Sequence, residues 1–147
     1  MLLLLASLVP CCSASSLCIG GLFPYDSYDQ NASAAAFADE IALINAEATL
    51  LPGVTLTAKL YDTGADATGS AIRAAEIADA GCAAVVGCYY STNSLQVNSI
   101  LAPRGVPQIA YGSTSDALTG ARLFARTTRP GADLVAAMVG VLSLIHI

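Results

Sequence analysis

The chain has 147 residues, 55% of them hydrophobic and 12% charged, with eleven acids against six bases and a net charge of −5. This composition excludes disorder, and the six scattered bases form no stripe that would neutralise phosphates, so nucleic acid is excluded as a partner. The length allows one core that buries about two-thirds of the unfolded surface, and the dominance of Ala, Gly, Val, Leu and Ile suits a buried parallel sheet under Ala-rich helices.

Residues 1–25 carry no charged side chain. Within them Leu2–Val9 is a short apolar run followed by Pro10, Cys11, Cys12 and Ser13–Ser16, which is the order of a signal peptide's apolar and cleavage regions, although no Lys or Arg precedes it. Pro10 and the serines cut the run well short of the roughly 20 apolar residues of a bilayer span, so residues 1–16 are expected to be a cleaved signal rather than an anchor. Leu17–Phe23 reads as a buried strand ending at Pro24. Ser33–Ala48 follows as a helix, with Ala36, Phe37, Ile41 and Ile44 at inward spacings. After Leu51-Pro52-Gly53, Val54–Tyr61 alternates like a strand. Asp66–Ala80 is predicted helical, with Ile72, Ala75, Ile77 and Ala78 inward and Gly81 as the stop. Cys82–Val86 is a third strand, Ser91–Leu101 a helix, Pro107–Tyr111 a fourth strand and Leu123–Thr127 a fifth, before a last helix from about Pro130. Strands alternating with helices of about 10–15 residues predict an α/β fold, a Rossmann-like parallel sheet in the order 2-1-3-4-5, with ligands outside the carboxyl ends of the strands.

The last six residues, Leu142 to Ile147, are the translation of CTGTCTCTTATACACATC, the end sequence of a transposase adapter used in sequencing libraries. The natural sequence is therefore expected to end near Val141, the alternative being a genuine apolar continuation of the last helix. On the first reading the natural portion has no histidine, because His146 is the only one. Removal of residues 1–16 would leave Cys18, Cys82 and Cys88, an odd number that cannot pair completely. Cys82 and Cys88 flank one extended run of roughly 20 Å and cannot reach each other. Cys18 and Cys82 read as small buried thiols, with disulfide pairing to a partner that the sequence does not specify as the alternative.

Catalysis finds little support. There is no natural His to act as a base, no G-x-S-x-G elbow, and no Cys-His or Ser-His pair. Asp26, Asp29, Asp62 and Asp66 lack metal-ligand spacing and read as caps of turns and helices. Gly20-Gly21-Leu22-Phe23-Pro24 cannot serve as a dinucleotide turn, and Gly87-Cys88 stands where a phosphate-accepting Asp would end the third strand. No cofactor is implied. The informative places are Gly87-Cys88-Tyr89-Tyr90-Ser91-Thr92-Asn93-Ser94 and Tyr111-Gly112-Ser113-Thr114-Ser115. Neighbouring parallel strands lie about 4.8 Å apart, so these two loops open side by side, and a helix amino terminus there suits a carboxylate. The plainer alternative is that the Ser and Thr hydroxyls only cap the backbone.

Ile44-Asn45, Leu50 to Leu56, Tyr61-Asp62-Thr63, Val85-Val86-Gly87, the Ser91–Ser94 loop, Val106 to Ser115 and Phe124-Ala125-Arg126-Thr127 together resemble the receptor-family ligand-binding region. This is a type 1 periplasmic-binding-protein, or Venus-flytrap, fold found in metabotropic glutamate and GABA-B receptors, natriuretic-peptide receptors and branched-chain amino-acid binding proteins. The resemblance runs from about Leu17 to Val141. It implies that residues 17–141 are the first part of the amino-terminal lobe of a two-lobed clamshell. By the family's motif, Ser91 and Thr114, 23 residues apart, hold the α-carboxylate and α-amino group of an amino-acid-like ligand, with Gly112 and the adjacent Ser113 completing the site. Gly64 stands where many relatives carry a cysteine, Pro130 sits one place later than usual, and Tyr25–Gln30 lacks a recognisable specificity residue. Asn31-Ala32-Ser33 is a glycosylation sequon, with Asn31 as a plain helix cap the alternative.

The resemblance implies a non-enzymatic extracellular sensor that binds a small molecule, reaches the membrane through a segment beyond this sequence, and can form a dimer. The alternatives are the binding protein of an amino-acid transporter and an ectodomain that binds a protein or peptide partner.

Overall fold

The computed structural model describes residues 15–25 and 28–145. In chain order it contains β1 (Ser15–Phe23), α1 (Tyr28–Ala46), β2 (Val54–Asp62), α2 (Ala67–Asp79), β3 (Ala84–Val86), α3 (Ser91–Leu101), β4 (Gln108–Ala110), β5 (Phe124–Arg126) and α4 (Gly131–Ile145). Single 3-10 turns, Ala102–Arg104 and Asp116–Leu118, precede β4 and β5. The strands pair in parallel in the order β2-β1-β3-β4-β5, the order expected from the alternation of elements. Of the leader reading, residues 1–14 lie outside the described residues, while Ser15 and Ser16 pair with Val54 and Thr55 in the sheet.

Two glycines explain how helices press on both faces of β1. A Cβ on Gly20 would lie 2.5 Å from Ile77 Cγ2 of α2, and one on Gly21 would lie 2.7 Å from Leu60 and 3.3 Å from Phe37 of α1. Successive residues of a strand point to opposite faces, so the pair clears space for one helix on each side. Between α2, α3 and the sheet lies the core of Leu22, Ile77, Val85, Val97, Leu101 and Val106.

The expected helix faces need two corrections. Ile72, placed inward by periodicity, is 55% exposed, and the buried row of α2 is Ser70, Ala74 and Ile77. A small polar residue takes the inner position because its hydroxyl is satisfied there: Ser70 Oγ donates to the Asp66 carbonyl and accepts from Asn93 Nδ2. In α1 the inward row is Ala34, Phe37, Ile41 and Ile44, and Ala36 is exposed. Phe37 sets that row by packing on Phe23, 5.6 Å between ring centres.

Cys18 and Cys82 are not separate thiols, as their reading from sequence had them; they form a disulfide across β1 and the entry to β3, 64 residues apart in sequence and 4.4 Å between Cα atoms. Strand order brings them together, with the Ala83 amide donating to the Cys18 carbonyl alongside. Cys88 remains free and buried. Asp66 caps α2 by accepting from the Gly69 amide, and Asp62 accepts from the amides of Tyr25 and Gly64. Asp26 lies outside the described residues, as does the Asp29 side chain. Asn31 sits inside the first turns of α1 rather than at its cap, with an exposed side chain whose Nδ2 donates to the Tyr25 carbonyl.

The helix α4 continues through Leu142–Ile145, and Leu134, Val135, Met138, Val139, Val141 and Leu142 along it are exposed. Among the described residues no helix is long and apolar enough to cross a membrane.

Candidate ligand-binding site

The loops after β3 and β4 meet at the carboxyl edge of the sheet, and Gly87 makes the first of them possible. Its φ of +129° is open to glycine, and a Cβ there would lie 2.3 Å from the Leu22 carbonyl oxygen. The chain then turns through Cys88, Tyr89 and Tyr90 into α3. Tyr90 at the N-cap makes no side-chain bond, so the first-turn amides of α3 are left to other partners. Ser91 does not supply them. Its Oγ reaches across to the β4 loop and accepts from the Thr114 amide at 3.2 Å and the Ser115 amide at 3.1 Å. Its hydroxyl therefore joins the two loops instead of capping α3.

Behind this contact lies a buried polar seam. Ser94 and Ser113, both fully buried, share a hydrogen bond of 2.7 Å. Ser113 Oγ also lies within donating distance of the carbonyls of Cys88 and Tyr89, while Ser94 Oγ accepts from the Cys88 amide. Gln108 on β4 donates to the Gly87 carbonyl at 2.8 Å. The carbonyls of Gly87, Cys88 and Tyr89 in the first loop are thus held by β4 or the loop following it, which fixes the spacing of the edge.

The exposed side of the edge is aromatic. Tyr89 lies against Gly112, where a Cβ would be 2.3 Å from the Tyr89 ring, so only glycine lets the two loops approach. Tyr89 packs edge-on to Tyr90, 5.1 Å between centres, and Tyr111 bridges Tyr89 and Phe23 at 5.9 and 5.4 Å. Burial, and then the neighbouring Cys88, Tyr89 and Tyr90, push the Tyr111 hydroxyl well above the usual phenol range. Burial, partly offset by a hydrogen bond with Ser70, pushes the Cys88 thiol up to about 12, so it stays neutral and is a poor nucleophile. Tyr25, after β1, is raised by burial and by Asp62. Hydroxyls, backbone amides and ring faces line the two loops after β3 and β4. Such a surface can bind and orient a small molecule.

Of the residues singled out from sequence, Ser91, Gly112 and Thr114 come together, with Thr114 exposed at the rim. Ser113 is in the same loop, but its hydroxyl is turned inward to hold the neighbouring loop. Sequence reasoning missed the aromatic ring of Tyr89, Tyr111 and Phe23. Its signal was the tyrosine pair inside the Gly87–Ser94 loop, whose partners only strand order could supply.

A parallel sheet with hydroxyl-bearing loops and fixed aromatic rings at its carboxyl edge has the architecture of a small-molecule-binding α/β protein. The model of the receptor family ligand binding region matches residues 32–145, and the chain belongs to that family. Among solved structures it is similar to an ABC transporter substrate-binding protein from Desulfitobacterium hafniense, at 24% identity and a TM-score of 0.79 over 90% of this chain and 40% of that one. A Desulfitobacterium hafniense substrate-binding protein in complex with Leu matches at 25% identity and a TM-score of 0.75, with the same coverage. The branched-chain amino acid transporter substrate binding protein LivJ from Streptococcus pneumoniae, in complex with isoleucine, matches at 21% and 0.72, over 79% of this chain and 34% of that one. The chain thus spans two fifths or less of the length of these structures. Comparison with curated protein sequences gives no match.

Proposed function

We propose that this chain contributes the head-group half of a non-enzymatic binding site for a small amino-acid-like ligand, in the extracellular sensor part of a membrane receptor. The observation that carries the reading is Ser91 Oγ accepting from the Thr114 and Ser115 amides. A hydroxyl oxygen in that position stands where a ligand carboxylate oxygen would accept the same two hydrogen bonds, and rotation of Ser91 would then add its O–H as a third donor. Gly112 lets the backbone come close, and Thr114 at the rim is free to meet the α-amino group. The uncharged ring cluster beside them suits an apolar side chain better than an acidic one.

A second reading, delivery of an amino acid to a transporter, is favoured by the solved structures, which are described as transporter substrate-binding proteins and hold Leu or isoleucine. Both readings share the site and differ in what lies beyond it. Calorimetric titration of the protein with a panel of L-amino acids tests the shared part. Saturable binding of an apolar amino acid without turnover is expected; conversion of any of them, abolished by one side-chain change, would overturn the non-enzymatic reading. Residues 1–16 as a signal, 17–141 as part of the first lobe, 142–147 as adapter, and glycosylation at Asn31 remain proposals of the same reading, tested by sequencing the transcript across Val141 and by mass spectrometry of the secreted protein.

A further inference from the structure

Arg126, the last residue of β5, is half-buried, and its guanidinium reaches back to the loop that follows β4. Nη1 donates to the Ser115 carbonyl at 2.8 Å and Nη2 to the Thr119 hydroxyl at 2.7 Å. The fork therefore spans the 3-10 turn Asp116–Leu118 from both sides. Just downstream, the Thr128 hydroxyl donates to the Ser113 carbonyl at 3.1 Å, and the Gly131 amide donates to the Thr114 carbonyl at 2.8 Å. The Thr114–Ser115 peptide is thus gripped at its carbonyl by the segment leaving β5, while its N–H faces Ser91. Among the described residues the ion pairs are Arg73–Glu76 and Arg104–Asp79, so Arg126 makes none. Its two hydrogen bonds go to neutral acceptors.

We propose that Arg126 is a positioning residue for the head-group site: its fork on Ser115 and Thr119 fixes the turn that presents the Thr114 and Ser115 amides. The proposal rests on the head-group reading of Ser91 and Thr114. A planar fork binds two acceptors in one fixed geometry, which a lysine ammonium does not reproduce, and by holding the Ser115 carbonyl it fixes the backbone that leads out of the Ser115 amide. Arg126 would touch no ligand atom; it acts through Ser115.

The test uses the full chain as wild type, Arg126→Met, Arg126→Lys and Thr119→Val. Two measurements are made: L-leucine affinity by calorimetry, and amide exchange at Thr114 and Ser115 against Val85, whose amide is bonded to the Pro107 carbonyl in the core. Arg126→Met is expected to weaken leucine binding roughly ten- to a hundredfold, with a smaller loss for Arg126→Lys, which keeps the charge but not the fork. Exchange at Thr114 and Ser115 should accelerate about tenfold or more while Val85 is unmoved. Unchanged affinity in Arg126→Met, unmoved exchange at the two loop amides, or equal acceleration at Val85 would each overturn the proposal. If the wild type binds no amino acid, the head-group reading fails on its own, and the exchange ratio alone then decides whether Arg126 positions the loop. Thr119→Val, which removes one prong at an exposed hydroxyl, supplies the same comparison if Arg126→Met does not fold.

Discussion

The two flanks of this sheet are held very differently. Around β1 and β3 the chain is gripped from all sides, by α1 on one face, by α2 and α3 on the other, and by the Cys18–Cys82 bridge between strands. Beyond β5 the chain enters α4, whose contacts with the loops lie in its first turn, at Gly131 and Ala132, and whose apolar side chains then run exposed, Met138 at 64%. Yet α4 is the most apolar of the four helices in sequence. What separates the two regions is whether other elements are present to receive the apolar face, which is a reminder that hydrophobicity measures a capacity to be buried and not burial itself.

The largest expected effect breaks the gripped region. Replacing both Cys18 and Cys82 by Ala should lower stability by about 4 kcal/mol, since the bridge closes a loop of some 65 residues; a denaturation midpoint that hardly moves would mean that the strands hold themselves. Within α2, Ile77→Ala is expected to cost about 2–5 kcal/mol and Ile72→Ala less than about 0.5 kcal/mol. Equal losses would restore the helix face that periodicity suggests. At the boundary between the two regions, Ser91→Ala and Thr114→Ala should each weaken amino-acid binding by about 1–3 kcal/mol, roughly five- to over a hundredfold. Stability lost in Ser91→Ala with affinity intact would leave its hydroxyl as a loop tie only.

Cys88 offers a chemical probe of the same contrast. Its thiol keeps its proton in the folded chain up to about 12, whereas an unfolded cysteine loses it near about 8.5. The unfolded state therefore binds fewer protons in between, and this group's contribution to stability, full below about 8.5, is lost as pH rises toward about 12. Peptide mapping after iodoacetamide at neutral pH should find Cys88 unmodified in the folded protein and modified in denaturant; ready labelling of the native chain would contradict its burial. The smallest effect belongs to α4. Val135→Lys and Met138→Glu should shift the unfolding midpoint by less than about 0.5 kcal/mol and reduce the binding of hydrophobic dyes. A marked loss of stability would show that this face of α4 is covered in solution.

The order and type of the elements were legible in the sequence, because a strand or helix declares itself through local periodicity, and α3 was legible to its end residues. The sheet order followed from the alternation, since parallel strands need crossovers and crossovers restrict the topology. The pairing of two loops at the carboxyl edge, with Ser91 and Thr114 in them, was legible for the same reason. What only the tertiary structure decided depends on residues distant in the chain. Cys18 meets Cys82 because β3 lies beside β1. Ser70 displaces Ile72 from the inner face because Asn93 of α3 satisfies its hydroxyl. Ser113 turns inward because Ser94 waits for it, and Tyr89 finds its place only on a glycine of the next loop. In each case a side chain's role is set by the partner that the sheet order brings to it, and local sequence carries no record of that partner.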